Sequence, residues 1–249
     1  MNVSPGETAQ KIERKITGSI TATIQGQLDE IESPLFAINW FDTRIATVYH
    51  FYNFLAAGRV FKIGGKVFFK GKNQQTICGN ESLARKFLLI VNYPSGHAFL
   101  DLVSDRIFQV MSVFRILAVK QFSFVLQKRI GEPQLLTDQI PKIEGPVKPY
   151  AVVHCAGIDN SQLESAEQQF AQIASANACE LVFYGYESGR VATAKTGAQP
   201  NRVEYITPAT VVLSAKSQAD LLKFFESSEF KEFAKQLDDH YAALLKRTM

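Results

Sequence analysis

Residues able to do chemistry gather in two short stretches of this chain. Asn39 and Trp40 lie near the end of an apolar run, and Tyr49, His50, Tyr52 and Asn53 follow in a helical stretch. With Phe51 and Phe54 counted, five aromatic rings (Trp40, Tyr49, Phe51, Tyr52 and Phe54) fall close together. Such a set suits a cavity for a flat apolar ligand, with His50 or Asn53 fixing its polar end. The same rings would serve equally well to pack a helix onto its sheet. His154 sits mid-strand beside Cys155, where an imidazole suits the role of base or haem ligand, or that of a hydrogen-bonded structural group. Tyr184, on a strand read over 180–186, completes the candidate set. His97, after Ser95-Gly96 at a helix opening, and His240, after Asp238-Asp239 on a polar helix face, read as solvent-exposed.

Other signatures are absent. The chain contains no His-Glu-x-x-His, no G-x-S-x-G elbow and no Gly-rich phosphate loop, which sets aside hydrolase, kinase and dinucleotide oxidoreductase readings. Cys78, Cys155 and Cys179 have neither disulfide nor zinc spacing and read as reduced, mostly buried thiols. Glu187 and Glu204 are a conceivable carboxylate pair whose distance the sequence does not fix. No metal or cofactor is therefore predicted, with haem left open through His154.

The elements that must position these residues come in a repeated order. Residues 35–42 form a short apolar run, a helical stretch follows through Tyr49, Tyr52 and Leu55, and Gly64-Gly65 leads into an alternating strand over 66–72. Residues 150–156, 161–178 and 180–186 repeat that plan as strand, helix and strand. A third apolar run closes each core, over 87–93 and 209–215, and an amphipathic helix follows each. The shared order is β-α-β-β-α, a split βαβ unit. The reading is thus a first repeat over 35–130 and a second over 150–249, with an extension over 1–34 and a connector over 131–149.

That connector holds Pro133, Pro141, Pro146, Pro149, Gly131 and Gly145, a density that opposes regular structure. In the extension, Ser4-Pro5-Gly6-Glu7 has the form of a helix start, and Ile12, Ile16, Ile20, Ile24, Leu28 and Ile31 recur at nearly helical spacing. Residues 16–24 also alternate like a strand, and both readings stay open. The first repeat ends in a further strand over 121–128. The second is read as ending in a helix through Phe233, Leu237, Tyr241 and Leu245, so that it lacks a fourth strand, a vacancy that residues 16–24 would fill if extended.

Three stretches carry a family resemblance. Gly64-Gly65-Lys66-Val67-Phe68-Phe69-Lys70-Gly71, then Leu88 to Ser95, then Ser104-Asp105-Arg106-Ile107-Phe108 resemble the small proteins grouped as domain of unknown function 1330. The second half echoes the last element as Ser227-Ser228-Glu229-Phe230 but has Glu187-Ser188-Gly189 for the double glycine and Lys216-Ser217 for Pro-Ser. The resemblance implies a ferredoxin-like dimeric α/β barrel, made here within one α+β chain as an intramolecular pseudo-dimer, with pockets between sheet and helices. Relatives in that superfamily include cofactor-free monooxygenases, haem-degrading enzymes and chlorite dismutases, so fold alone selects no reaction.

Charge is uneven. Residues 35–130 carry 13 Lys and Arg against 4 Asp and Glu, whereas residues 150–249 carry 9 against 12. Opposite signs favour docking of the halves, or a first half that faces an anion. Lys66, Phe68, Lys70 and Lys72 would share one strand face, which raises RNA or single-stranded nucleic-acid binding as a rival. It is disfavoured, because the third strand lacks the alternating stacking aromatics of an RNA-recognition motif. No apolar run is long enough to span a bilayer and no secretion signal opens the chain, so a cytoplasmic protein without membrane partners is expected. The expected function is binding of a small apolar or aromatic molecule between sheet and helices. A non-catalytic interaction module is the alternative, and self-association is open. Any enzyme activity would be cofactor-independent oxygenation or isomerisation through His50, Tyr52 or His154.

Overall fold

The structure, a computed structural model, describes residues 33–129, 148–187 and 209–248. Strand β1 (Leu35–Thr43) leads to helix α1 (Ala46–Lys62), then β2 (Lys66–Gly79), β3 (Phe87–Tyr93), α2 (Gly96–Ser104), α3 (Arg106–Ala118) and β4 (Val119–Arg129). The order recurs as β5 (Tyr150–Ala156), α4 (Leu163–Ala176), β6 (Cys179–Glu187), β7 (Ala209–Ala215), α5 (Gln218–Glu226), α6 (Ser228–Ala234) and β8 (Asp239–Arg247). All eight strands pair antiparallel and close into one barrel in the order β1-β3-β2-β8-β5-β7-β6-β4. Residues 35–129 thus contribute β4-β1-β3-β2, and residues 150–247 contribute β8-β5-β7-β6. Two ladders join these sets, β2 to β8 from Gly71–Arg247 to Gly79–Tyr241, and β4 to β6 through Gln127–Glu187 and Arg129–Gly185.

Strand alternation sorts side chains into layers. Phe36, Ile38 and Trp40 of β1 meet Tyr150 and Val152 of β5 and Tyr241 and Ala243 of β8 inside the barrel. Ala151, Val153 and Cys155 point the other way and pack beneath α4, α5 and α6 with Phe170, Phe224, Phe230 and Phe233. On the first half, Leu35, Ala37, Val91 and Phe99 form one outer cluster and Phe41, Tyr49, Tyr52 and Met111 another. Beyond them, the outward faces of α1 and α3 leave Phe51, Phe54, Phe61, Val110 and Leu117 exposed.

Side-chain caps set the helix starts. Ser95 Oγ accepts the amide of Ala98 at α2 and Ser217 Oγ that of Asp220 at α5. Asp105 accepts the amide of Phe108 and Ser227 that of Phe230, so each helical segment after the third strand breaks into two short helices.

Three sequence expectations need correction. Residues 239–247 form strand β8, not the end of a helix, and β8 supplies the fourth strand expected to be missing. The i, i+4 pair Tyr241 and Leu245 also shares a strand face, and residues 241–245 are buried on both faces, so period alone could not separate the readings. His240 accordingly lies on β8. The basic strand face does not exist as read, because the β2–β3 register slips between Val67 and Phe69. That bulge sends Phe68 against Phe36 and Phe183 of the interior, while Lys70 turns to the outer cavity described below. The readings for residues 1–32, for 131–147 and for Glu204 lie outside the described residues.

Candidate ligand-binding cavity

Between the outer face of β1–β4 and the helices α1, α2 and α3 lies a cavity of about 280 Å³. Dry apolar cavities of about 150 Å³ already admit benzene, so this space is large enough for a two-ring molecule. Helical spacing places its walls. On α3, Phe108, Ser112 and Arg115 stand at i, i+4 and i+7 and share one face; on α1, Tyr49, Tyr52, Asn53, Ala56 and Val60 do the same. Rings floor the cavity, with Phe99 stacked on Phe124 at 5.8 Å between centroids, Phe124 on Phe122 at 6.0 Å, and Tyr93 edge-on to Phe99 at 5.1 Å.

Its polar groups are few. Asn39 Nδ2 donates to the carbonyls of Ala37 and Leu89, each at 3.1 Å, which fixes its amide in the sheet and leaves Oδ1 outside those bonds. Ser112 Oγ donates to the Phe108 carbonyl at 2.9 Å and is thereby occupied within its helix. Burial raises the pKa of the Tyr49, Tyr52 and Tyr93 hydroxyls, against the opposing pull of Arg115 on all three; the neighbouring Tyr52 adds to the rise at Tyr49 and Tyr93. At neutral pH these phenols are protonated and able to donate. The Arg115 guanidinium lies 5.1 Å from the Phe122 ring centroid, and its buried Nε has no hydrogen-bond partner. Lys70 is half-buried, and desolvation lowers its pKa.

The predicted candidates divide. Asn39, Tyr49, Tyr52 and Asn53 come together in the cavity wall. His50 is exposed on α1, as are Phe51 and Phe54, so none of these three lines it. Helical periodicity is the reason: with Tyr49 and Tyr52 turned to the sheet, positions 50, 51 and 54 face outward. Trp40 lies on the opposite face of β1 from Asn39, in the barrel interior, where Nε1 donates to the Leu83 carbonyl at 2.7 Å. His154 is in the same interior, 1% exposed, with its ring 5.1 Å from that of Trp40 and Nδ1 3.3 Å from Thr210 Oγ1. Tyr184 packs beside Phe170 in the second half's outer layer.

Sequence reading missed Arg115, Tyr93 and the ring row on α2 and β4. A signal existed, since Arg115 is flanked by Phe114 and Ile116 and shares a helix face with Phe108 and Ser112. Nothing in the sequence alone told which face meets the sheet. The equivalent space in the second half is filled, with Phe170 and Phe233 at 4.6 Å and Phe224, Phe230 and Tyr184 fully buried around them.

His154 does not fit haem. The void beside it is about 10 Å³, the room of a single water, and the surrounding side chains close the interior. Among the described residues no group of three or more His, Cys, Asp or Glu is placed to hold a metal ion. Cys155 and Cys179 are buried, Cys78 is half-buried, and all three are free thiols. No helix among the described residues is long and apolar enough to cross a membrane.

No protein-family profile matches the chain, that of domain of unknown function 1330 included, and no curated protein matches it. Solved structures do. A candidate monooxygenase from Fusobacterium nucleatum subsp. nucleatum aligns over 87% of this chain and 93% of its own at 11% identity, with a TM-score of 0.51. An anthrone oxidase-like protein aligns over 88% and 94% at 11% identity, also with a TM-score of 0.51. A protein of unknown function from Rhodopseudomonas palustris matches 46% of this chain over 94% of its own at 20% identity, with a TM-score of 0.42. At such identities the likeness is one of fold, and that fold is the ferredoxin-like dimeric α/β barrel.

Proposed function

We propose that this protein binds a small aromatic or apolar molecule in the cavity between the first sheet and α1–α3. The single observation that carries this is the cavity itself, about 280 Å³ of ring-lined space in a layer that the second half packs solid. A concave, ring-lined space with a few polar groups at its wall is the usual form of a small-molecule site. Titration of the neutral two-ring probe 1-naphthamide by calorimetry tests the reading. One site per chain is expected, with affinity lost in Ala56→Phe, where an added ring enters the cavity from α1. Absence of binding by both this probe and its carboxylate counterpart 1-naphthoate, or binding that Ala56→Phe leaves unchanged, overturns it.

We also infer that residues 35–130 and 150–249 descend from one duplicated unit, joined as a pseudo-dimer. Beyond the shared strand order, the register slip between Val67 and Phe69 on β2 recurs between Leu181 and Phe183 on β6. Ser95 and Ser217 cap corresponding helices, and Asp105 and Ser227 do the same one helix later. In this reading the first copy keeps the pocket and the second has been packed with Phe170, Phe230 and Phe233. Superposition of the two halves about an approximate twofold axis is the check.

A further inference from the structure

The wall of the cavity holds two cations and no carboxylate: Arg115 enters from α3 and Lys70 from β2. Among the described residues neither has an acidic partner, and the buried Arg115 Nε is without any hydrogen bond. The Tyr52 and Tyr93 hydroxyls line the same space without a protein hydrogen-bond partner among those residues. Partly desolvating positive charge against rings is unfavourable unless something negative completes the site. A neutral apolar guest would leave both cations and both phenolic donors unanswered.

We infer that the ligand carries an anionic oxygen group, a carboxylate or phenolate on its aromatic or apolar body, which Arg115 holds with Tyr52 and Tyr93 donating and Lys70 adding charge. This rests on the ligand-binding reading above and names the class of molecule. A guanidinium stacked on Phe122 keeps its edge available for oxygen, while the ring row over Phe99, Phe122 and Phe124 takes the flat body. Two cations without a counter-charge also explain why the site would hold the uncharged form of the same molecule more weakly.

The test compares 1-naphthoate with its neutral counterpart 1-naphthamide by calorimetry on the full chain, in wild type, Arg115→Met, Lys70→Met and Tyr52→Phe. Wild type is expected to hold the carboxylate at least about tenfold tighter than the amide, the step that one charge-assisted contact supplies. Arg115→Met should erase most of that preference while leaving amide affinity in place, which a merely structural role would not do. Tyr52→Phe, which keeps the ring, should reduce the preference even if Arg115→Met fails to fold. Equal affinity of wild type for the two probes overturns the inference, as does a preference that survives all three variants. Binding of the amide with no gain for the carboxylate refutes only the anion; failure of both probes refutes the cavity reading and this inference together.

Discussion

His154 is the residue with the sharpest physical consequence. Burial lowers its pKa to about 3, against 6.5 for a solvated imidazole. The facing groups Trp40, Tyr241 and Thr210 bring no charge to oppose this. Protonation therefore favours the unfolded chain: the contribution is complete above about 6.5 and is lost as pH falls toward 3. Between those limits each pH unit removes up to about 1.4 kcal/mol. Urea midpoints measured from pH 7 to pH 4 should fall more steeply for wild type than for His154→Gln, and parallel curves would refute the buried neutral ring. The thiols follow the same rule. Burial pushes Cys179 up to about 11, with the Asp220 carboxylate adding to it, and raises Cys155 and Cys78 as well. At pH 8 the native protein should titrate with less than one fast thiol, and three after denaturation; three fast thiols in the native state would contradict the burial.

Among the elements, β8 shows what could and could not be read in advance. Strands β1, β3, β5 and β7 are apolar runs of strand length and were legible to within a residue or two. Ala242, Ala243, Leu244 and Leu245 favour a helix by propensity, and only the gap between β2 and β5 makes them a strand. The candidate site was half legible for a related reason. Tyr49, Tyr52 and Asn53 could be found by type, but the exposed position of His50 follows from how α1 sits on the sheet. Arg115 became visible only once α3 was oriented. Close approach of β2 and β8 gives a test at this scale. Gly79 has φ +89, and a Cβ there would collide with the His240 carbonyl oxygen. Gly79→Ala should cost roughly 2–4 kcal/mol, combining backbone strain with displacement of the β8 strand, measurable as a lowered denaturant midpoint. A change below about 0.5 kcal/mol would mean the two strands are farther apart than described.

At the scale of the whole molecule, closure of the barrel distributes stability over both halves of the chain. Neither set of four strands is complete, because β2 and β4 find their outer partners in β8 and β6. Unfolding by heat and by urea should therefore be a single transition, with Trp40 fluorescence and backbone circular dichroism changing together. Two separated transitions would show that the halves hold their structure alone. The first half's excess of 13 cations over 4 acids needs no docking role in this arrangement, since ladders of backbone hydrogen bonds join the halves and two of those cations line the cavity.

The two seams carry a consequence for what happens if the chain is cut. A single break between residues 129 and 148 leaves two fragments, each a four-stranded sheet with two raw edges, and each raw edge matches one on the other fragment. Such edges are sticky. Made alone, either fragment is expected to seek a second copy of itself and close a barrel of identical halves, one with two cavities and the other with none. Made together, the fragments should prefer each other where unlike charge and the evolved β2–β8 and β4–β6 registers favour the mixed pair. The covalent join then decides not whether a barrel closes but which one, by holding the second half at high effective concentration beside the first. Carrying both halves on one chain would thus keep the cavity of the first beside the packed layer of the second.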